Sequence, residues 1–345
     1  MNHAVTRRTA LLAPLATGAA LLAAPPTARA QTRPVRFSFD WIYNGPYAFG
    51  AAGVQQGFFR EAGLDVTITR GFGSARVPLD MAAGNFDVAM CDPTPLLRFM
   101  SQQPNNDLLA VGLLWDQAPT AVTVRADGPI TQISQLAGKT LAAPEFDGGR
   151  QVFPVFAAVN NIPFSSINWL SVAPELREPM LVQRRADGIT GFVTSTALSL
   201  RALGMDLPAQ RIFRYREHGL DFFYGSVILT TRTYAQRNPD ALRALVGGLY
   251  RSMKWSFNNR DGAIAALRAR EPLTDVAIEA VRQQMAMDEL VDSPNVRRLG
   301  LGVIEAPRMQ RQIEAVKLAY NLGDMPSVDR FHTDRFLPPA AERAL

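Results

Sequence analysis

The sequence predicts an α/β fold of parallel sheets in two successive units, finished by a helical segment. Three observations predict it. Short runs rich in β-branched and aromatic residues alternate with amphipathic stretches from Val35 to Thr230. Such strand–helix–strand order puts helices on the faces of a parallel sheet. The alternation restarts near Asp127, and beyond Thr233 the apolar spacing is helical almost throughout. With 345 residues, 47% of them hydrophobic, the chain can build two domains and bury a sizeable core.

Residues 35–39 read as the first strand. Residues 47–62 read as a helix closed by Gly63, since glycine accepts the left-handed backbone that ends helices. Residues 64–69 alternate with period two as the second strand. Ser74 caps a short helix to Ala83, which Gly84 ends. A strand at 86–91, a helix at 94–100 and strands at 108–114 and 121–124 complete the first unit. The second unit opens with a helical turn at 133–137. It alternates strands at 140–143, 167–171, 188–192 and 211–215 with helices at 149–160, 175–183 and 196–203. Residues 222–230 form one more strand. Asn238-Pro239-Asp240 starts a long helix to about Phe257, and helices follow at 261–270, 274–288 and 306–322. This order leaves two topologies open. Either the domains are sequential, or the chain leaves the first unit, builds the second and returns through 222–230.

Residues 1–30 stand apart from the fold. Arg7-Arg8 precede an apolar run at 10–24, and Ala28-Arg29-Ala30 is a small-x-small cleavage site. This is the pattern of an export signal. The run is too short for a membrane anchor, and Pro14 and Thr17 interrupt it. Paired arginines suggest the twin-arginine route, but Ala10 stands where that signal usually has a bulky apolar residue, so the Tat and Sec routes both stay open. Cleavage near Ala30 removes Arg7, Arg8 and Arg29 and no acid, taking the formal charge from +5 to about +2. That balance argues against nucleic acid as a partner. The one cysteine, Cys91, excludes an intramolecular disulfide, and no cysteine near the cleavage site offers a lipid anchor. The mature chain is expected to begin at Gln31 and to be a soluble, periplasmic monomer that does not span the membrane.

Catalytic motifs are absent. His218 and His332 lie far apart in sequence, Cys91 is in neither neighbourhood, and no HExxH, CxxC or GxSxG occurs. The reading is therefore no enzyme, no metal and no cofactor. The informative places are strand-to-helix corners, because open α/β sheets bind ligands beyond the carboxyl ends of their strands. Four corners are polar and small: 40–47, carrying Asp40, Trp41, Tyr43, Asn44 and Tyr47; 71–74, with Gly73 and Ser74; 92–95, with Asp92 and Thr94; and 145–150, with Glu145, Asp147, Gly149 and Arg150. Free N–H groups and the positive dipole end at each helix start suit a polar group. Taken singly, Ser74, Asp92 and Thr94 are ordinary helix caps. The case rests on four such corners on one side of the sheets, one of them bearing three aromatic rings.

At these residues the chain resembles the NMT1/THI5-like substrate-binding proteins of ABC importers. The likeness is carried by Asp40-Trp41, Asn44, Tyr47, Gly57-Phe58-Phe59, Gly63-Leu64-Asp65-Val66 and Gly73-Ser74. Leu136, Gly138 and Lys139 add to it, as does the segment 184–192, which has Gly188 where alanine is usual. The resemblance implies a type II periplasmic binding protein fold: two α/β lobes, a ligand cleft between them and a helical C-terminal segment. Lobe 1 would comprise 31–125 and 229–345, and lobe 2 would comprise 126–228, with hinges near 124–127 and 224–231. It further implies an extracytoplasmic solute-binding protein that takes a small organic ligand, aromatic or heteroaromatic and pyrimidine-like, and delivers it to an inner-membrane permease. Trp41, Tyr43 and Tyr47 would stack on the ligand, Asp40 and Asn44 would fix its polar edge, and Thr190 and Phe192 would join them from the second lobe. A sulfonate, carboxylate or nitrate-type anion held by Arg150 and the helix starts at Ser74 and Thr94 is the alternative. An exported enzyme on the same fold is a further one. The cysteine-rich CCCFC motif of the family's pyrimidine synthases is missing here.

Overall fold

A computed structural model of the chain describes residues 32–345 together with Met1, His3 and Ala4. The expected export signal, its cleavage site and Gln31 otherwise lie outside the described residues. Strands β1 (Arg33–Ser38), β2 (Leu64–Thr69), β3 (Val88–Cys91) and β4 (Leu108–Leu113) belong to one sheet. Strands β5 (Thr120–Arg125), β6 (Thr140–Ala143), β7 (Asn168–Ser171), β8 (Gly188–Phe192) and β9 (Gln210–Arg214) form a second. Strand β10 (Val227–Thr231) returns to the first sheet, giving the orders β2-β1-β3-β10-β4 and β7-β6-β8-β5-β9. The chain therefore leaves the first sheet, builds the second and comes back.

Both sheets are mixed rather than purely parallel. β10 runs antiparallel to β3 and β4, and β5 runs antiparallel to β8 and β9, while β1, β2 and β3 and likewise β6, β7 and β8 pair in parallel. The reversed strands are the two that enter a sheet directly from the other. The expected boundary at 125/126 shifts accordingly. β5 pairs only within the second sheet, so the first crossing lies at 114–119 and not at 124–127. The expected strand 222–230 is a crossing up to Ser226 and a strand only from Val227. The two crossings are bonded side by side: Leu114 N–H donates to Ser226 O (2.8 Å), Gly225 N–H to Trp115 O (3.1 Å) and Ala118 N–H to Phe223 O (3.3 Å).

Helices cover the sheets through their apolar faces. Leu242, Leu245 and Leu249 of the long helix Pro239–Asn258 pack with Phe37, Phe39 and Met90. On the other side, Met309, Ile313 and Val316 of Ala306–Tyr320 share a cluster with Cys91 and with Phe153 and Phe156 of Gly148–Val159. Helix Val276–Ala286, continued by a π-helical turn Met287–Val291, touches both halves. Its Ile278 and Met285 lie on Ala121, Val193 and Leu198, whereas Leu290 and Val291 lie in the Phe37 cluster. The expected single helix 47–62 is two, Ala48–Gln55 and Phe58–Glu61, broken where Gly57 takes a φ of 77°.

Candidate ligand-binding site

The carboxyl ends of β1, β3, β6, β7 and β8 converge where the two sheets meet. After β1 the chain turns through Asp40 and Trp41. The corner after β2 is stitched to it, since Gly71 N–H donates to Trp41 O (2.9 Å) and Gly73 N–H to Asp40 O (2.8 Å). A Cβ on Gly71 would lie 2.4 Å from the Asp40 carbonyl carbon, so only glycine permits the approach. Asp40 is buried, and its carboxylate accepts from Tyr47 Oη (2.8 Å) and from Ser74 Oγ. Across the junction Asp147, also buried, caps Gly148–Val159 by accepting from Arg150 N–H (2.8 Å). It also accepts from Thr190 Oγ1 (3.3 Å) and from Arg177 Nη1 (3.1 Å). Arg177 is buried as well. It donates from Nε and Nη2 to Glu178 Oε1 (3.1 and 2.7 Å) and stands over the Trp41 ring, 5.1 Å from its centroid.

Charge in this place is expensive. Burial pushes the Asp40 carboxyl up to about 6, against the Ser74 and Tyr47 hydrogen bonds that favour its ionised form; nearby Asp147 raises it further. Burial likewise lifts Asp92 to about 8, against its cap bond from Thr94 N–H (2.7 Å). Asp147 is raised by burial although Arg177 draws it down. Despite the cost of burial, Glu178 and Asp147 hold Arg177 above its ordinary value. Acceptors thus exceed donors, and the single buried arginine of the constellation is already committed to two carboxylates.

Asp40, Trp41, Ser74, Asp147, Gly148, Arg177, Phe192 and Ser195 enclose an inner chamber of only about 10 Å³. Outside it lies a cleft of about 450 Å³ that shares Trp41, Arg177 and Ser195 with the chamber. Contacts across the junction hold it shut: Asn44 Nδ2 donates to Ser195 Oγ (3.2 Å), Ala75 N–H to Phe146 O (3.2 Å), and Arg70 pairs with Glu175 (3.2 Å). A larger cavity, about 610 Å³ under helix Pro239–Asn258, is lined by none of the corner residues. Its Arg243 and Arg251 are already paired with Asp240 and Glu61.

The structure brings Asp40, Trp41, Ser74, Asp147, Thr190 and Phe192 together. Asn44 lines the outer cleft. The aromatic corner, however, does not present three rings to one space. Tyr47 is packed between Phe39 and Trp115 in the core, and its hydroxyl serves Asp40. Tyr43 donates to Ile68 O (2.9 Å), carries Arg270 over its ring and faces the outer cleft. Asp92 caps its own helix, and Thr94 Oγ1 is buried without a partner. Gly73, at φ 129°, abuts the Phe146 carbonyl, and Gly149 abuts Gly191. Glu145 is exposed. The Arg150 side chain turns away to Ser171 Oγ (2.8 Å) and the Trp169 ring. Sequence reasoning missed Arg177, Glu178 and Ser195, whereas Gly148 belongs to the 145–150 corner that it did read. Arg177 and Glu178 lie beyond β7 and Ser195 just beyond β8, in segments without the glycines that marked 71–74 and 145–150.

Residues 47–263 match the model of a family described as NMT1/THI5 like. The chain is 20% identical over 235 residues to a formylaminopyrimidine-binding protein of Halalkalibacterium halodurans, covering 68% of this chain and 69% of that one. It is 20% identical over 342 residues to the riboflavin-binding protein RibY of Chloroflexus aurantiacus, covering 94% and 92%. Among solved structures, the periplasmic aliphatic sulphonate binding protein SsuA of Escherichia coli aligns with a TM-score of 0.67 at 15% identity, over 89% of this chain and 99% of that one. The fold is that of the periplasmic binding proteins, and the relatives are solute-binding proteins.

Proposed function

The chain belongs to the NMT1/THI5-like family, and from that premise we propose that it is an extracytoplasmic solute-binding protein of an ABC importer. It works as a periplasmic monomer, closing on a small heteroaromatic ligand that carries N–H donors and presenting it to an inner-membrane permease. The lobes are the two sheets with their helices, hinged at the crossings 114–119 and 222–226. Among the described residues no helix is long and apolar enough to cross a membrane. The observation that supports the ligand class is the buried pair Asp40 and Asp147 beside the Trp41 ring. Two acceptors and a flat apolar face suit a ring with N–H edges.

An inorganic or sulfonate anion is less suited. Arg150, its expected partner, points elsewhere, and Arg177 is neutralised by Asp147 and Glu178. The helix starts at Pro93 and Gly148 are occupied by their own caps, Asp92 and Asp147. The one cysteine is not prepared as a nucleophile. The Cys91 thiol is buried and pushed well up by that burial, and it lies against the carbonyls of Ser74 and Asp92. The decisive experiment is mass spectrometry of the ligand released when natively purified protein is denatured. A small nitrogen heterocycle is expected. A sulfonate or carboxylate without a ring nitrogen, recovered in stoichiometric amount, overturns the ligand class.

A further inference from the structure

We infer that the outer cleft is a second recognition element for the same ligand, and that it takes a protonated amine carried on an arm of the ring. The inference rests on the function proposed above and narrows its substrate class.

Size comes first. The inner chamber, about 10 Å³, has room for roughly one water. The outer cleft, about 450 Å³, falls within the usual range of small-molecule sites. Because the two share Trp41, Arg177 and Ser195, a ligand that reaches Asp40 leaves the rest of itself in the outer cleft.

Charge comes second. Five acidic side chains line the outer cleft against two arginines, among the described residues. Both arginines are engaged: Arg177 with Asp147 and Glu178, Arg282 with Glu279 and the carbonyl oxygens of Thr194 and Ser195. From the rim, Arg70 pairs with Glu175, and Arg270 lies over Tyr43. Glu271 and Asp275 are left with no ion pair among the described residues. An acidic recess contrasts with the positive formal charge, about +2, expected for the chain after cleavage.

A third, independent observation is Asn44. It is 5% exposed, lines this cleft and gives its Nδ2 to Ser195 Oγ, while its Oδ1 has no hydrogen-bond partner. A buried acceptor of this kind costs stability until a donor meets it. An ammonium group brings three donors and no acceptor, which matches a recess of carboxylates and an idle carbonyl. A metal ion does not fit as well, since among the described residues no cluster of three or more His, Cys, Asp or Glu could hold one.

The test uses 4-aminopyrimidines carrying at carbon 5 a primary amine on a one- or four-carbon arm, and the matching alcohols. Each is titrated calorimetrically into the wild-type protein and into the double variant Glu271→Gln, Asp275→Asn, in which asparagine keeps the helix cap. One of the amines should bind the wild type at least about ten-fold more tightly than its alcohol, and the preference should shrink in high salt. The double variant should lose about three- to five-fold for that amine, the size of exposed charge pairs, and less for the alcohol, which brings one donor and no charge. Equal affinity for every amine and its alcohol overturns this inference and leaves the binding function standing. Failure of all the probes, alcohols included, overturns the ring-binding proposal and this inference with it.

Discussion

Asp40 walls the inner chamber and carries a pH signature of its own. With its carboxyl lifted to about 6, it is mostly ionised at pH 7 and mostly neutral at pH 5. A ligand N–H donor holds the charged form, so binding should release protons and affinity should fall as the pH drops through about 6. Calorimetry in two buffers of different ionisation heat checks the proton count. Asp40→Asn should cost at least about ten-fold in affinity, as expected for a charged hydrogen bond, and should flatten the pH profile. For the ligand-free fold the sign is opposite. Because the folded value lies above the unfolded 3.8, Asp40 favours folding when protonated, and its contribution is lost as pH rises from about 4 to about 6. Trp41 serves two ends, since it is 6% exposed within the Phe37 cluster and also walls the chamber. Trp41→Ala should therefore cost roughly 3–5 kcal/mol of stability, read as a lower melting temperature, and should lower the affinity as well. A folded variant that binds unchanged would remove the ring from the ligand's surroundings.

At the scale of elements, helix Gly148–Val159 starts against β8 so closely that a Cβ on Gly149 would stand 2.5 Å from Gly191 N. Gly149→Ala should cost about 1–3 kcal/mol as overpacking, read as a lower melting temperature. An unchanged melt would mean that the helix start can back away from the strand. Much of this layer was legible in the sequence. The period-two run of β2 emerges with strictly alternating burial, and Gly63 and Gly84 take the left-handed backbone expected where a helix stops. Asp92 caps a helix as its position suggested, whereas Ser74, also expected to cap, gives its hydroxyl to Asp40 instead. Other features were not legible, for physical reasons. Gly57 breaks a helix through a single backbone angle, and glycine within an apolar helical pattern is equally compatible with continuation. Arg177-Glu178 reads as a solvated pair between two prolines. Its burial depends on Asp147, thirty residues away, and on the Trp41 ring from the other sheet. Tyr47 looked like a ligand-facing ring because nothing local reveals that Trp115 and Phe39 enclose it.

At the scale of the whole molecule, the structure describes a shut form, with a chamber of about 10 Å³ and polar bridges across the junction such as Asn44 to Ser195. No heteroaromatic ring enters so small a space, so the proposed binding would require the sheets to part and close again, a hinge movement about the paired crossings. In solution scattering the ligand-free protein should show a larger radius of gyration than the shut form, and saturating ligand should bring it down towards that form. Identical curves with and without ligand would place the site within one half. The periodicity of the sequence could not choose between sequential domains and an out-and-back path, because both use the same strands in the same order.

That path also sets an order of manufacture. β10 sits between β3 and β4, and it is encoded only after all five strands of the other sheet. While the chain is being synthesised, β4 has no neighbour and β3 shows a bare edge until residues 227–231 arrive. The later-made half can finish its sheet first, and the earlier-made half must wait for it. A chain cut short at Ser226 would hold a complete second sheet beside two unpaired, apolar strand edges, the kind of surface on which chains join one another.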